Sequence, residues 1–159
     1  MRPLSELAKR LLDAALVGEL TVVRPDGRAM TYPLIPLRDD DRIYLTSSTL
    51  FSKKLEHLAA NPRVSLSVTD PMSTGLPGRL TVQGDAQVIA EDPHGGWERL
   101  LPIWEAKEPA IVAFLKVRVA LPLFFERALI EITPRRVLLW PGGDTATAPE
   151  VTDLVEEAA

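Results

Sequence analysis

The chain has no cysteine, which excludes disulfides, thiolate nucleophiles and thiolate metal sites together and makes a reducing cytoplasm the expected compartment. Its only histidines, His57 and His94, lie far apart without carboxylates at ligand spacing, so no histidine metal centre is expected. Positive charge is not in excess: 18 Lys and Arg stand against 22 Asp and Glu, a net charge of −4. Without a basic surface to displace phosphate counterions, a nucleic-acid partner is not expected, and any bound anion must be held locally. Long apolar runs are missing too. Ala110 to Phe125 is broken by Lys116, Arg118 and Pro122 and is too short to span a bilayer, and Glu6 and Asp13 interrupt the leucines of the amino terminus. No Gly-x-Ser-x-Gly occurs, so the nucleophile elbow of a serine hydrolase is absent. The run Asp39 to Asp41 reads as a solvated turn, not a cation site.

What is present is enough for one domain of 159 residues with a continuous core. Leu4, Leu7, Leu11, Leu12 and Ala15 recur at helical spacing between Ser5 and Gly18, which supply start and stop signals. Leu20 to Arg24 and Ala29 to Leu37 flank the turn Pro25-Asp26-Gly27 as a hairpin, and Arg42 to Ser47 alternates as a third, half-buried antiparallel strand. A short helix is predicted from Ser52 to Asn61-Pro62, with Phe51, Leu55 and Leu58 on one face, and a strand from Val64. The breakers between Asp70 and Gly78 predict a loop. Arg79 to Ala90 is the longest strand, central in the sheet, with Gly84 marking a bulge or a close approach. Trp97, Leu100, Leu101 and Trp104 fall at helical spacing after Asp92-Pro93 as a core stripe, and another helix follows from about Pro109. Ala128 to Thr133 and Arg135 to Trp140 read as two last strands around Pro134, Arg135 and Arg136 as a solvated edge, and the residues from Gly142 as a polar, acidic, fraying tail. Short strands in hairpin order with inserted helices favour an antiparallel barrel over a parallel sheet.

The sharpest local feature is the strand ending Thr46-Ser47-Ser48 that runs into Ser52-Lys53-Lys54 at a helix start. Hydroxyls, free amides at a helix amino end and two ammonium groups form a phosphate site. Taken alone, the segment reads first as a capped helix with solvated lysines.

The wider pattern resembles the pyridoxamine 5′-phosphate oxidase-like superfamily of FMN-binding split barrels and its deazaflavin-using relatives, from Gly18 to Gly142. Tyr44-Leu45-Thr46-Ser47, Ser52-Lys53-Lys54 and Asn61-Pro62-Arg63-Val64-Ser65-Leu66 are similar to that family's strand, phosphate-binding turn and following strand. The resemblance implies a mainly β, α+β fold: a split antiparallel barrel over residues 1–143, with a helical insert at about 92–125 and an acidic tail at 144–159. It implies FMN as cofactor, with a deazaflavin (F420) as the alternative and haem after it. Thr46, Ser47, Ser52, Lys53 and Lys54 would hold the phosphate, and Tyr32, Pro33, Leu34 and Ile35 would line the ring. Arg79 either begins an exposed strand or sits where the oxidases carry a glutamine, favouring an anionic reduced flavin, and Trp140 would approach the cofactor across a homodimer. The implied activity is hydride or electron transfer to a small molecule, with a deazaflavin (F420)-dependent reductase and non-catalytic flavin or haem binding as the rivals. After Trp140 the oxidases carry arginine and histidine for their substrate, whereas Pro141-Gly142-Gly143-Asp144 stands here, so vitamin B6 is not the expected substrate.

Overall fold

The computed structural model describes residues 2–155, apart from the side chain of Pro122. In chain order the elements are α1 (Glu6–Ala14), β1 (Gly18–Val23), β2 (Ala29–Leu34), β3 (Leu37–Asp39), β4 (Arg42–Ser48), α2 (Lys53–Ala60), β5 (Arg63–Val68), α3 (Pro71–Thr74), β6 (Arg79–Ile89), α4 (Leu101–Lys107), α5 (Ile111–Lys116), α6 (Pro122–Phe125), β7 (Arg127–Trp140) and β8 (Glu150–Asp153). All the strand pairs are antiparallel and form one sheet in the order β2-β1-β5-β6-β7-β4-β3, with β8 paired to β7. This curled sheet with its helices is α+β and consistent with the expected split barrel. Among the described residues no helix is long and apolar enough to cross a membrane.

Local chemistry explains the frame. Ser5 caps α1 by accepting from the Ala8 amide at 3.3 Å, and Leu11 and Leu12 bury the helix's apolar face in the main core. Gly27 takes a positive φ in the β1–β2 turn, and Asp40 does so between β3 and β4. Gly84 sits where the β6–β7 register shifts: Gln83 faces Arg136 but Gly84 faces Pro134, so Arg135 is the extra residue of a bulge. A Cβ on Gly84 would fall inside contact distance of the Thr133 carbonyl oxygen.

A second apolar cluster lies between β3, β4 and the start of β7 on one side and the helical insert on the other, built on Trp97, Trp104 and Phe125. The Trp97 indole donates to the Phe125 carbonyl at 3.1 Å, and Lys107 donates to the carbonyls of Leu12 (2.6 Å) and Pro36. Burial pushes the Lys107 ammonium down to about 8.

Several sequence expectations are corrected. The strand read from Ala29 to Leu37 is divided into β2 and β3, which lie at opposite edges of the sheet. β4 is buried on both faces, because Tyr44 packs into the second cluster while Ile43 and Leu45 enter the first. Phe51 does not join the α2 face but stands 97% exposed at positive φ. The 70–78 segment contains the helical turn α3, capped by Asp70 and closed by Gly75 in the left-handed region. The tryptophan stripe runs through a 3₁₀ turn (Glu98–Leu100) into α4 instead of along one helix, yet it reaches the core as expected. β7 is one strand, since Pro134 sits at the bulge, where the ladder needs no donor from it. Arg135 and Arg136 are ion-paired to Asp85 and Asp153. The segment read as a tail contributes β8 and the buried Leu154; residues 156–159 of that tail lie outside the described residues.

Two outcomes are expected. Gly84→Ala should cost about 1–3 kcal/mol in urea denaturation, because neither backbone at the bulge can yield without breaking its ladder. The unfolded chain holds the Lys107 proton up to about pH 10.4, so between about 8 and that value it binds more protons than the folded one and stability rises with pH. Lys107→Met should remove that slope, read as the difference between the two proteins' pH–stability curves.

Candidate cofactor-binding site

β4 leaves the barrel through two polar residues that are nonetheless buried, Thr46 at 7% and Ser47 at 2% exposure. The Ser47 and Ser52 hydroxyl oxygens lie 2.9 Å apart, and Lys54 Nζ donates to Ser47 Oγ at 3.0 Å and to Ser52 Oγ at 3.4 Å. Ser52 is the α2 cap residue but its side chain makes no capping bond, which leaves the hydroxyl turned to this cluster. The ammonium of Lys54 lies 5.3 Å from the centre of the Tyr32 ring.

A second cation comes from a residue that sequence reading did not include. Arg127 opens β7 opposite Ser48, where its Nε and Nη2 donate to Thr46 Oγ1 at 3.0 and 2.8 Å and its Nη1 donates to the Phe124 carbonyl at 2.9 Å. Its guanidinium lies over the rings of Phe124 (4.7 Å) and Trp104 (5.3 Å). Burial pushes Arg127 down to about 10, and burial followed by the charge of Arg127 lowers Lys54. Among the described residues no carboxylate pairs with either group. Two partly desolvated cations that repel each other, joined only to neutral oxygens, are an unfavourable arrangement that an anion between them relieves. Two hydroxyls, an ammonium and a forked guanidinium are the donor set of a phosphate monoester, so the residues present fit the phosphate end of a flavin mononucleotide.

The other expected site residues divide. Lys53 points away and pairs with Glu56 at 2.9 Å on the exposed side of α2. Tyr32 adjoins the cluster, but Pro33 faces out, Leu34 packs on the main core and Ile35 on the second cluster. Arg79 and Trp140 face each other at the end of the β6–β7 ladder, whereas Ser47 pairs with Ala128 at the other end of β7. One chain therefore does not bring them to the cations. There the Trp140 indole donates to the Thr147 carbonyl at 2.9 Å, and Arg79 Nε is buried without a hydrogen-bond partner among the described residues. His57 is half-buried on α2 and His94 is exposed before the insert. Arg127 was missed because Glu126-Arg127 falls between an insert read to Phe125 and a strand read from Ala128. The available signal was a cation at a strand entrance, separated by one residue from the aromatic pair Phe124-Phe125.

The chain is thus a split barrel that gathers hydroxyls and two cations where β4 meets α2. A family model described as Pyridoxamine 5'-phosphate oxidase matches residues 4–141, and the chain belongs to the pyridoxamine 5′-phosphate oxidase-like family. No curated protein matches the chain. Among solved structures, an F420 reductase is 23% identical with a TM-score of 0.61, covering 84% of this chain and 98% of its own. A conserved hypothetical protein from Mycobacterium tuberculosis is 20% identical with a TM-score of 0.66, covering 98% of this chain and 95% of its own. A heme binding protein from Mycobacterium smegmatis is 16% identical with a TM-score of 0.59, covering 94% of this chain and 59% of its own. Likeness at these identities is likeness of fold.

Because Lys54 carries an uncompensated and partly buried charge, Lys54→Met should raise the stability of the ligand-free protein by about 1 kcal/mol. Lys53→Met, on the exposed side, should change it by less than about 0.5 kcal/mol. Thermal unfolding of the three proteins without phosphate in the buffer measures both.

Proposed function

We propose that the chain is a cytoplasmic FMN-binding oxidoreductase that works as a homodimer on a small-molecule substrate. The observation that carries this reading is the Lys54–Arg127 pair: two cations converging on Ser47, Ser52 and Thr46 with no carboxylate between them. A single compact cluster of this kind matches one phosphomonoester, which FMN has and riboflavin lacks. When bound, FMN supplies hydride and electron transfer at its ring. The chain's own part is to fix the phosphate with Ser47, Ser52, Lys54 and Arg127 and to place Tyr32 beside the cofactor. Arg79 and Trp140 lie away from the cluster within one chain, so in this reading they reach the ring from the second protomer.

The test is an absorption titration of the purified protein with FMN, riboflavin, F420 and haemin. FMN is expected to bind at least about a hundredfold more tightly than riboflavin, because two charge-assisted contacts are lost without the phosphate. Arg127→Gln should weaken FMN at least about tenfold and Lys53→Met hardly at all. Affinity should rise through about pH 6 as the phosphate takes its second charge. It should fall on the alkaline side earlier than for an ordinary lysine, since Lys54 must stay protonated and its proton is held less tightly than usual. Equal affinity for riboflavin would remove the phosphate assignment, preference for F420 or a haem band would replace the cofactor, and a monomer by sedimentation would remove the shared pocket.

A further inference from the structure

A separate groove of about 970 Å³ lies on the outer face of the sheet. Its wall is made by the middles of β1, β5 and β6, the bulge of β7, the strand β8 and the amino terminus, and none of its lining residues belongs to the Lys54–Arg127 cluster. Ligand sites of small molecules commonly have about 300–1,000 Å³.

The groove's charge is opposite to that of the chain. Four guanidiniums, of Arg2, Arg63, Arg135 and Arg136, stand against the two carboxylates of Asp85 and Asp153, in a protein whose net charge is −4. Both carboxylates already have a partner: Asp85 pairs with Arg135, and Asp153 accepts from Arg136 at 2.6 Å. The side chain of Arg63 has no ion-pair partner among the described residues.

The bulge creates this concentration of charge. Side chains along a regular strand alternate between faces, but Arg135 is the extra residue between Pro134 and Arg136, so two successive arginines line the same groove. β8 holds the bulge open on its other side, with the Leu154 amide donating to the Arg135 carbonyl at 2.7 Å. The Arg2 amide in turn donates to the Leu154 carbonyl at 2.7 Å, which ties the amino terminus to the groove's rim. Ser65 and Gln83 face each other across the β5–β6 ladder and add a hydroxyl and a carboxamide that no other side chain engages among the described residues.

We propose that this groove is a second binding site, for a small polyanion carrying at least two phosphate-like groups. Forked guanidiniums on β5 and β7, set apart by the width of β6, suit two such groups, and Ser65 and Gln83 suit the polar body between or beside them. The proposal is independent of the cofactor assignment.

Calorimetric titration of the full chain with pyrophosphate at low ionic strength tests it, using wild type, Lys54→Met and Arg63→Gln. Saturable binding that persists in Lys54→Met, weakens at least tenfold in Arg63→Gln and falls steeply with added salt is the expected result. Arg63 is exposed and unpaired, so its variant should fold; if its melting transition is lost, Arg2→Gln reads the same site. Binding that disappears in Lys54→Met places pyrophosphate in the cofactor cluster and overturns the proposal while leaving the FMN reading intact. No saturable binding, or binding indifferent to Arg63→Gln and Arg2→Gln, overturns it as well. Loss of FMN discrimination alone would remove the cofactor reading and leave the groove standing.

Discussion

The structure depends on the divided hydrogen bonding of β7. This strand of 14 residues pairs with β6 along nearly its whole length, but its other edge serves β4 at the start and β8 at the end. The bulge at Gly84 and Pro134 bends β7 between them, so its first residue reaches the polar exit of β4 while its last lies beside the start of β6. The same bend turns Arg135 and Arg136 onto one face. The candidate cofactor cluster and the groove both adjoin this strand, whose bend is made by a residue without Cβ opposite one without an amide hydrogen.

The helical insert contributes more than cover. Its tryptophans and Phe125 fill the space behind β4, and Phe124 with Trp104 provides the aromatic bed on which Arg127 rests. A guanidinium held in that way stays desolvated and oriented without a carboxylate, which preserves its charge for a ligand. Lys54 is held by hydroxyls to the same effect. An acidic protein can thus hold an anion, because the field that matters at the site is set within a few ångströms and not by net charge.

Periodicity carried much of the frame. The capped α1, the β1–β2 hairpin, the helix after Ser52, the central β6 with its special glycine and the buried tryptophan stripe were legible, since each is decided by side chains close in sequence. The errors share a cause. The separation of β2 from β3, the two-sided burial of β4 and the pairing of the segment after Gly142 as β8 are set by which distant strand completes the sheet. Pro134 looked like a strand boundary because proline removes a donor, and only the partner strand shows that no donor is needed there.

The site divides along the same line. The sequence by itself determined the local chemistry of Thr46, Ser47, Ser52 and Lys54, because β4, its turn and the first turn of α2 bring these residues together over a few positions, and it determined the family resemblance that the fold bears out. The tertiary structure alone decided that Lys53 turns to Glu56, that Arg127 supplies the second cation, and that Arg79 and Trp140 stand apart from both. Those outcomes depend on antiparallel pairings between residues far apart in the chain, and register across a curled sheet is fixed by the packing of the whole core, which no local pattern encodes.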